Sequence, residues 1–330
     1  SALGFPSDQI GRLHAIVLSR VGRYAEAEPI LLGALAETRE PDPEVEEALA
    51  RVYLETYRLK QAEQVIRRWM IDAPADATPY LWLTEIDRRT SVDAVSVQLK
   101  NFHAALRRNP NLDQARLGLA DALRASQRTA EAAEEYARYL ARKPEDPAGL
   151  IGAGRTALDQ GDEKAAAAFL DRSLAHAPDN PLALRLRAQI DLHEGELQTA
   201  LARLNKAHAA DPFDAEALHT RSLVLSGLGR IEQCKADQQR RDQLRADQAR
   251  LLRVRDKLVG DVENNDLRCE VAAWMFEHGR PEEGLRWAKH VLAVSPTHRA
   301  ANRLLADYYD HRGDAGLANF YRMRAEDGQP

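Results

Sequence analysis

A period of about 34 residues runs through the sequence and constrains its fold more than any other feature. One position, mostly a small residue, recurs at intervals of 35, 36, 34, 34, 34, 34, 50 and 34, at Ala27, Ala62, Gln98, Ala132, Ala166, Ala200, Cys234, Gly284 and Ala318. Glycines share the period at Gly161, Gly195 and Gly229, and at Gly279 and Gly313, while prolines close units at Pro74, Pro110, Pro144, Pro178, Pro212 and Pro296. Three markers with one period predict a chain of similar units rather than one or two compact domains.

Each marker has a physical reason to recur in a pair of packed helices. A glycine adopts the left-handed conformation that ends a first helix. A small residue lets the second helix approach the first closely, and a proline then ends that second helix. Helix-forming residues dominate the composition, and β-branched residues do not form alternating runs. We therefore predict paired helices and no strands.

The fifth unit carries the pattern most fully, in Leu150, Ala153, Gly154, Ala157, Gly161, Ala166, Leu170 and Pro178. This arrangement resembles the tetratricopeptide repeat, and the resemblance extends over residues 8 to 326. It implies an all-α fold, a right-handed α-solenoid of about nine antiparallel helix pairs. The stretch from Leu267 to Arg324 is also similar to the closing repeats of large bacterial tetratricopeptide proteins, which indicates a bacterial source.

Two units depart from the pattern. The third unit, roughly 75–110, lacks both the glycine and the small residue, so its turn at residues 90–93 is predicted to be distorted. The interval of 50 exceeds the period by 16, and no proline or glycine occurs from Ile231 to Leu258. We predict one overlong helix there, between the seventh and eighth pairs. The predicted divisions are a repeat array at 8–230, a connecting helix and turn at 231–264, and a C-terminal pair at 265–326.

The overlong helix carries an apolar stripe of Leu244, Leu251, Val254 and Leu258, with a net charge of +3 in a chain of −5. Seven-residue spacing is typical of a helix–helix seam. The stripe could be covered by the chain itself, with Trp274 and Trp287 offering apolar surface, or by a partner or a second copy in a homodimer. Nucleic acid is a weaker alternative, because acidic residues interrupt the basic run.

Sequence motifs for catalysis are missing. Gly152 to Ala157 match a dinucleotide fingerprint, but they fall inside a predicted helix without the required strand before them. Cys234 and Cys269 belong to no metal-ligand spacing, and the histidines do not cluster; His208 is expected to be half-buried with its ring satisfied. Carboxylates are expected on solvated helix faces. We predict a protein that is not an enzyme and has no metal, cofactor or small-molecule substrate.

Stacked helix pairs rotate from one to the next and so create an extended groove. In the family that the repeat resembles, set positions of each first helix line this groove. Carried over by register, they are Leu117, Asp121, Arg124, Ile151, Arg155, Leu158, Arg185, Gln189, Leu192 and His219. Apolar residues there suit an apolar anchor, and arginines suit a carboxylate. The alternative is that single exposed leucines are ordinary and that the arginines serve solubility.

The predicted function is an interaction scaffold that holds an extended peptide or the surface of another protein. One alternative is a non-catalytic recruiting arm of a larger enzyme, such as a protein glycosyltransferase. The other is nucleic-acid binding through the Arg-rich helix, which the net charge of −5 makes weaker. No apolar run is long enough to span a membrane. Because the chain starts at Ser1 without Met, we expect a trimmed sequence, which leaves cytoplasmic, periplasmic and membrane-anchored locations open.

Overall fold

A computed structural model describes residues 7–37, 41–56, 58–90, 94–261 and 263–327, and these ranges contain eighteen α-helices and no strand. The first helices of the nine pairs are α1 (Ser7–Arg20), α3 (Pro43–Glu55), α5 (Thr78–Thr90), α7 (Asp113–Ala125), α9 (Pro147–Asp159), α11 (Pro181–His193), α13 (Ala215–Gly227), α15 (Asn265–Glu277) and α17 (Arg299–His311). The second helices are α2 (Tyr24–Glu37), α4 (Leu59–Asp72), α6 (Ala94–Arg108), α8 (Thr129–Leu140), α10 (Glu163–His176), α12 (Leu197–Ala210), α14 (Ile231–Gly260), α16 (Pro281–Val294) and α18 (Ala315–Asp327). We call them helices A and B of each unit. The predicted all-α repeat fold is confirmed.

The turn glycines have the predicted conformation. Gly161, Gly195 and Gly229 have φ angles of +78°, +81° and +72°. In the fourth unit Gln127 occupies the same position at a φ of +64°, a conformation that side chains other than glycine adopt rarely. The starts of several helices are fixed by nearby side chains. At the start of α9, the Asp146 carboxylate accepts a hydrogen bond from the Gly149 N–H at 2.9 Å.

Close approach between helices accounts for the fingerprint-like glycines of α9. A Cβ atom at Gly152 would lie 2.2 Å from the Tyr136 ring of α8, the preceding helix B. A Cβ atom at Gly154 would lie 3.0 Å from Leu170 of α10 in the same unit. Both glycines therefore lie where neighbouring helices pack closely.

The overlong helix is also confirmed, because α14 runs without interruption for 30 residues. A helix of this length measures about 45 Å. The predicted distortion of the third unit's turn cannot be compared in the same way, since residues 91–93 lie outside the described residues.

Two compact bodies make up the chain. The central body is Asp87–Ala249, whereas the terminal body joins Ser1–Ile86 to Arg250–Pro330. The division at 8–230, 231–264 and 265–326 remains a prediction about folding units.

The core of the terminal body combines both ends of the chain. Leu49 and Ile66 belong to a buried cluster that also contains Leu258, and Trp287 packs against this cluster. A further contact joins the Arg286 guanidinium to the Glu55 carboxylate at 3.6 Å. In the central body smaller clusters follow the repeat, such as that of Ala166, Leu170 and Leu186.

Candidate peptide-binding face

Successive helices A bring the predicted groove residues of the central body onto neighbouring elements. Helix α7 contacts α9, α9 contacts α11, and α11 contacts α13. Three arginines on successive helices A form a diagonal row across this face, because each lies about one turn earlier in its helix than the one before it. We call Arg124, Arg155 and Arg185 the arginine row.

The two outer arginines of the row already have carboxylate partners. Arg124 Nη1 lies 3.1 Å from the Asp159 carboxylate, and Arg185 Nε donates to Asp214 at 2.9 Å. Each pair joins residues about one repeat period apart, at separations of 35 and 29 residues. These two guanidinium groups are thus held in place and partly neutralised.

Arg155 differs from both neighbours. It is half-buried in α9, and within the described residues no hydrogen bond or ion pair engages its guanidinium. Burial lowers the pKa of Arg155, and the charge of Arg124 and, more weakly, that of Arg185 lower it further, while Asp121 opposes them. The group stays charged, because an arginine does not lose its proton in proteins. The face therefore holds a half-buried cation in surroundings that favour an added anion.

Asp121 accepts a hydrogen bond from a helix B tyrosine that the sequence did not single out. The buried Tyr136 hydroxyl donates to Asp121 Oδ1 at 2.5 Å. Burial and then the Asp121 charge raise the Tyr136 pKa, so this hydroxyl keeps its proton. The recurrence of an aromatic residue at this register, Phe102 in α6, is the sequence signal that could have indicated a contact to the next helix A.

The apolar candidates are less available than predicted. Ile151 is buried in a cluster with Leu170 and Leu186, so its assignment as an exposed ligand anchor is wrong. Leu158 packs against the same cluster and is half-buried, and Leu117 and Leu192 are half-buried against neighbouring clusters. These clusters combine residues of helices A and B, so the leucines contribute to packing within the array.

The last two candidates occupy the far part of the face. Gln189 is half-buried on α11, one turn beyond Arg185. His219 is also half-buried, and its Nδ1 lies 3.2 Å from Arg241 Nη1 of α14. His219 therefore extends the row of candidates toward the long helix.

The helix stripe is buried rather than displayed. Leu251 and Val254 share a cluster with Val271 and Met275, against which Trp274 and Trp287 pack. This is the intramolecular cover that the sequence suggested. Leu258 is buried in the cluster built from the N-terminal pairs, a contact that the sequence did not reveal, and Leu244 is buried as well. None of the four is open to a partner or to a second copy.

Two expectations about polar residues are wrong. Several carboxylates are buried instead of solvated, such as Asp191 between Arg187 and Arg203, and Asp237 with two 2.7 Å hydrogen bonds from Arg221. Repeat packing provides their partners, because residues one helix apart meet across the unit. His208 is half-buried as expected, but its Nδ1 is buried without a hydrogen-bond partner in the described structure.

One arrangement in the terminal body looks like a nucleophile pair. Cys269 Sγ lies 3.8 Å from His298 Nδ1, and His298 Nε2 lies 3.3 Å from Asp266. Burial raises the pKa of the Cys269 thiol to about 12, so the reactive thiolate does not form near neutral pH. His298 Nδ1 also accepts a hydrogen bond from the Ala301 N–H at 3.4 Å, and the ring thereby caps α17. The arrangement fits a structural role.

Within the described ranges, no group of three or more His, Cys, Asp or Glu side chains is placed to hold a metal ion. No helix there combines the length and the apolar character needed to cross a membrane.

Sequence comparison identifies part of the array. The family model described as tetratricopeptide repeat matches residues 123–190, which contain all three arginines of the row. No protein of curated function matches the sequence.

Solved structures with similar folds include several repeat proteins. PilW, a widely conserved type IV pilus biogenesis factor, is 22% identical with a TM-score of 0.54, and the match covers 62% of this chain and 92% of PilW. The APC/C hetero-tetramer Cut9–Hcn1 is 15% identical with a TM-score of 0.54, covering 88% of this chain and 54% of that one. PilF of Pseudomonas aeruginosa is 15% identical with a TM-score of 0.52, covering 59% and 88%. At these identities the likeness shows the fold alone.

Proposed function

We propose that the chain is an interaction scaffold that binds a carboxylate-bearing, extended segment of another protein on the helix A face of its central body. Arg155 carries this proposal, because it is the member of the arginine row without a carboxylate partner among the described residues. A half-buried guanidinium between two others attracts an anion and can hold a carboxylate through two parallel hydrogen bonds.

The neighbours of Arg155 favour an extended ligand over a compact one. Arg124 and Arg185 sit on the adjacent helices A, and each is already fixed by an ion pair. A peptide that crosses α7, α9 and α11 would meet one arginine on each helix. Half-buried Leu117, Leu158 and Leu192 offer small apolar contacts along the same path.

Binding of defined peptides tests the proposal. Peptide arrays that contain acidic segments and free C-terminal carboxylates identify the tightest ligand, and fluorescence anisotropy then measures its affinity. We expect Arg155→Glu to weaken binding at least tenfold and Arg155→Lys to weaken it less, since lysine keeps the charge but loses the two-pronged geometry.

Arg230→Glu is the matched control, because Arg230 is an exposed arginine of the same central body, in the turn before α14. It changes the charge equally and should leave the affinity within twofold. Equal losses of affinity in both variants would mean that the net charge of the protein, and not Arg155 itself, determines binding. A retained affinity in Arg155→Glu would remove the arginine row as the binding site.

The alternatives give different outcomes. Nucleic-acid binding through α14 predicts an affinity that falls steeply with salt and is indifferent to Arg155. Several basic residues of α14 are already paired, with Arg241 2.8 Å from Asp242 and Arg245 2.9 Å from Glu216, which disfavours this role. A recruiting arm of a larger enzyme would use the same face, with the bound peptide serving as the substrate of that enzyme.

A further inference from the structure

Four side chains at one register of helices A form a second row on the face of the central body. Each lies six residues before the turn position of its unit, at Gln127, Gly161, Gly195 or Gly229. We call this set the mixed row: Asp121 on α7, Arg155 on α9, Gln189 on α11 and Leu223 on α13. Because these helices contact one another in this order, the row runs from a carboxylate through a guanidinium and an amide to an apolar side chain. It crosses the arginine row at Arg155.

The Asp121 carboxylate is oriented by the protein without being neutralised. Its Oδ1 accepts a hydrogen bond from the fully buried Tyr136 hydroxyl at 2.5 Å, and no other hydrogen bond or ion pair engages it within the described residues. Arg124, one turn further along α7, is paired with Asp159 at 3.1 Å instead. Since the Asp121 side chain is exposed, its negative charge is available to a cationic group of a ligand.

Asp121 and Arg155 influence each other but do not pair. Burial is the main cause that lowers the pKa of Arg155, and the Asp121 charge acts in the opposite direction. Among the described contacts the two groups form no ion pair with each other, so each can bind a ligand group of its own. A ligand with only a carboxylate for Arg155 would be repelled by Asp121, whereas a ligand with a cation beside that carboxylate would be attracted by both.

The other end of the mixed row is apolar. Leu223 is 48% exposed, although the next two residues, Val224 and Leu225, are buried in a core cluster. The core therefore does not use Leu223, which remains as an apolar contact on the face. Gln189, at the same register on α11, is half-buried and carries both amide donors and an acceptor for a peptide backbone.

We propose that the ligand of this face is an extended peptide in which a basic, an acidic and an apolar residue follow one another, bound by Asp121, Arg155 and Leu223 respectively. This inference rests on the proposed function and names the class of peptide. Neighbouring helices lie about 10 Å apart and an extended chain advances about 3.3 Å per residue, so the basic residue lies about three positions from the acidic one and the apolar residue about six positions beyond it. The backbone between the last two contacts the Gln189 amide.

Two fluorescein-labelled peptides of identical composition test this order. The first carries lysine, glutamate and leucine, separated by two and then by five residues of glycine and serine, and the second has lysine and glutamate exchanged. Each is made in both chain directions, because the row does not fix the direction of the ligand. We expect the better direction of the first peptide to bind at least tenfold more tightly, by fluorescence anisotropy, than either direction of the second. Net charge is the same in all of them, so the difference reports the order.

Asp121→Asn isolates the effect of the carboxylate, because asparagine keeps an acceptor oxygen for the Tyr136 hydroxyl. It should weaken binding of the first peptide by about threefold or more and leave a peptide with norleucine in place of lysine no weaker. Glu196→Gln is the matched control, since Glu196 is exposed in the turn before α12 and its side chain caps no helix. This variant should bind within twofold of the wild type. Leu223→Ser should weaken binding about fivefold, and circular dichroism checks the fold of each variant.

The inference and the proposed function fail in different ways. Equal binding of the two peptide orders overturns the inference, and so does a wild-type protein that binds neither. It is also overturned if Asp121→Asn tightens binding of the lysine and norleucine peptides alike, because Asp121 would then only repel the ligand carboxylate. In each of these cases, acidic peptides whose binding is lost in Arg155→Glu would still support the proposed function.

Discussion

At the scale of single residues, Glu46 of α3 shows how the repeat can place a charge-bearing group in its core. Its carboxyl group is fully buried, 3.1 Å from Arg68 and beside Asp72. Burial first, and then the neighbouring Asp72 carboxyl, raise the pKa of Glu46 from 4.5 to about 8, although Arg68 opposes the shift. The folded protein therefore keeps this proton at neutral pH, whereas the unfolded chain releases it.

Replacing Glu46 by Gln should remove a pH dependence of stability. Because the folded pKa lies above the unfolded value, wild-type stability is fully present below pH 4.5 and is lost as the pH rises towards 8. Glu46→Gln should stabilise the protein by about 1–3 kcal/mol at pH 8 and have little effect at pH 4.5. Urea unfolding at both pH values measures this, and an equal effect at both would contradict the raised pKa.

His290 of α16 should give the opposite dependence. Burial, followed by the charges of Arg268 and Arg58, lowers its pKa from 6.5 to about 3. Since the unfolded chain takes up the proton first, stability falls as the pH drops from 6.5 towards 3, by at most about 1.4 kcal/mol per pH unit. His290→Leu should flatten the decline between pH 6.5 and 5. Thermal unfolding of both proteins across this window tests it, and parallel curves would show that His290 is protonated in the folded state.

Repeat alignment predicted on which helix a residue lies, but it did not predict whether the side chain is buried. It predicted that the three arginines lie on successive helices A, and the pKa of Arg155 responds to both of its neighbours. Ile151 was misjudged because the same alignment does not tell whether neighbouring helices bury a side chain. The ion partners Asp159 and Asp214 could have been found, since residues about one period apart lie on neighbouring units.

At the scale of elements, α14 was predictable because breakers are missing from it, while the cover of its stripe needed the structure. The interval of 50 and the uninterrupted run to Leu258 indicate one long helix. Trp274 and Trp287 follow closely in sequence, so the burial of Leu251 and Val254 against them could be predicted. Leu258 packs with residues about 200 positions earlier, such as Leu49, and no local pattern signals a contact of that range.

Leu251→Ser with Leu258→Ser tests the burial of the stripe. Each leucine is surrounded by apolar side chains, so its loss should cost about 2–5 kcal/mol, and the double variant should be less stable without a change in molecular mass. Leu252→Ser is the control on the same helix, since Leu252 is 52% exposed and should contribute little. Chemical unfolding and light scattering give both readings. A fall in mass with unchanged stability would mean that the stripe joins two copies.

At the scale of the whole molecule, the repeat pattern predicts neighbours along the chain but not the meeting of its ends. A solenoid unit contacts mainly the units beside it, which led to sequence divisions at residues 230 and 264. The terminal body instead joins Ser1–Ile86 to Arg250–Pro330. Two segments about 160 residues apart then share one core, a contact that costs loop-closure entropy and is absent from any local signal.

Trp287→Ala tests whether that shared core is an energetic unit. Trp287 of α16 packs against the cluster that contains Leu49 and Ile66, so its truncation should cost about 3–5 kcal/mol. Hydrogen exchange should then speed up in α1–α4 as well as in α15–α18, because a body that shares one core opens as one cooperative unit. Helices α9–α12 of the central body should keep their protection. Leu204→Ala in α12 is the reciprocal control, since Leu204 is fully buried in a central cluster and its loss should loosen α11–α13 alone. If Trp287→Ala loosens only α15–α18, the C-terminal pair folds by itself as the sequence divisions suggest, and the contacts between the two ends of the chain contribute little to stability.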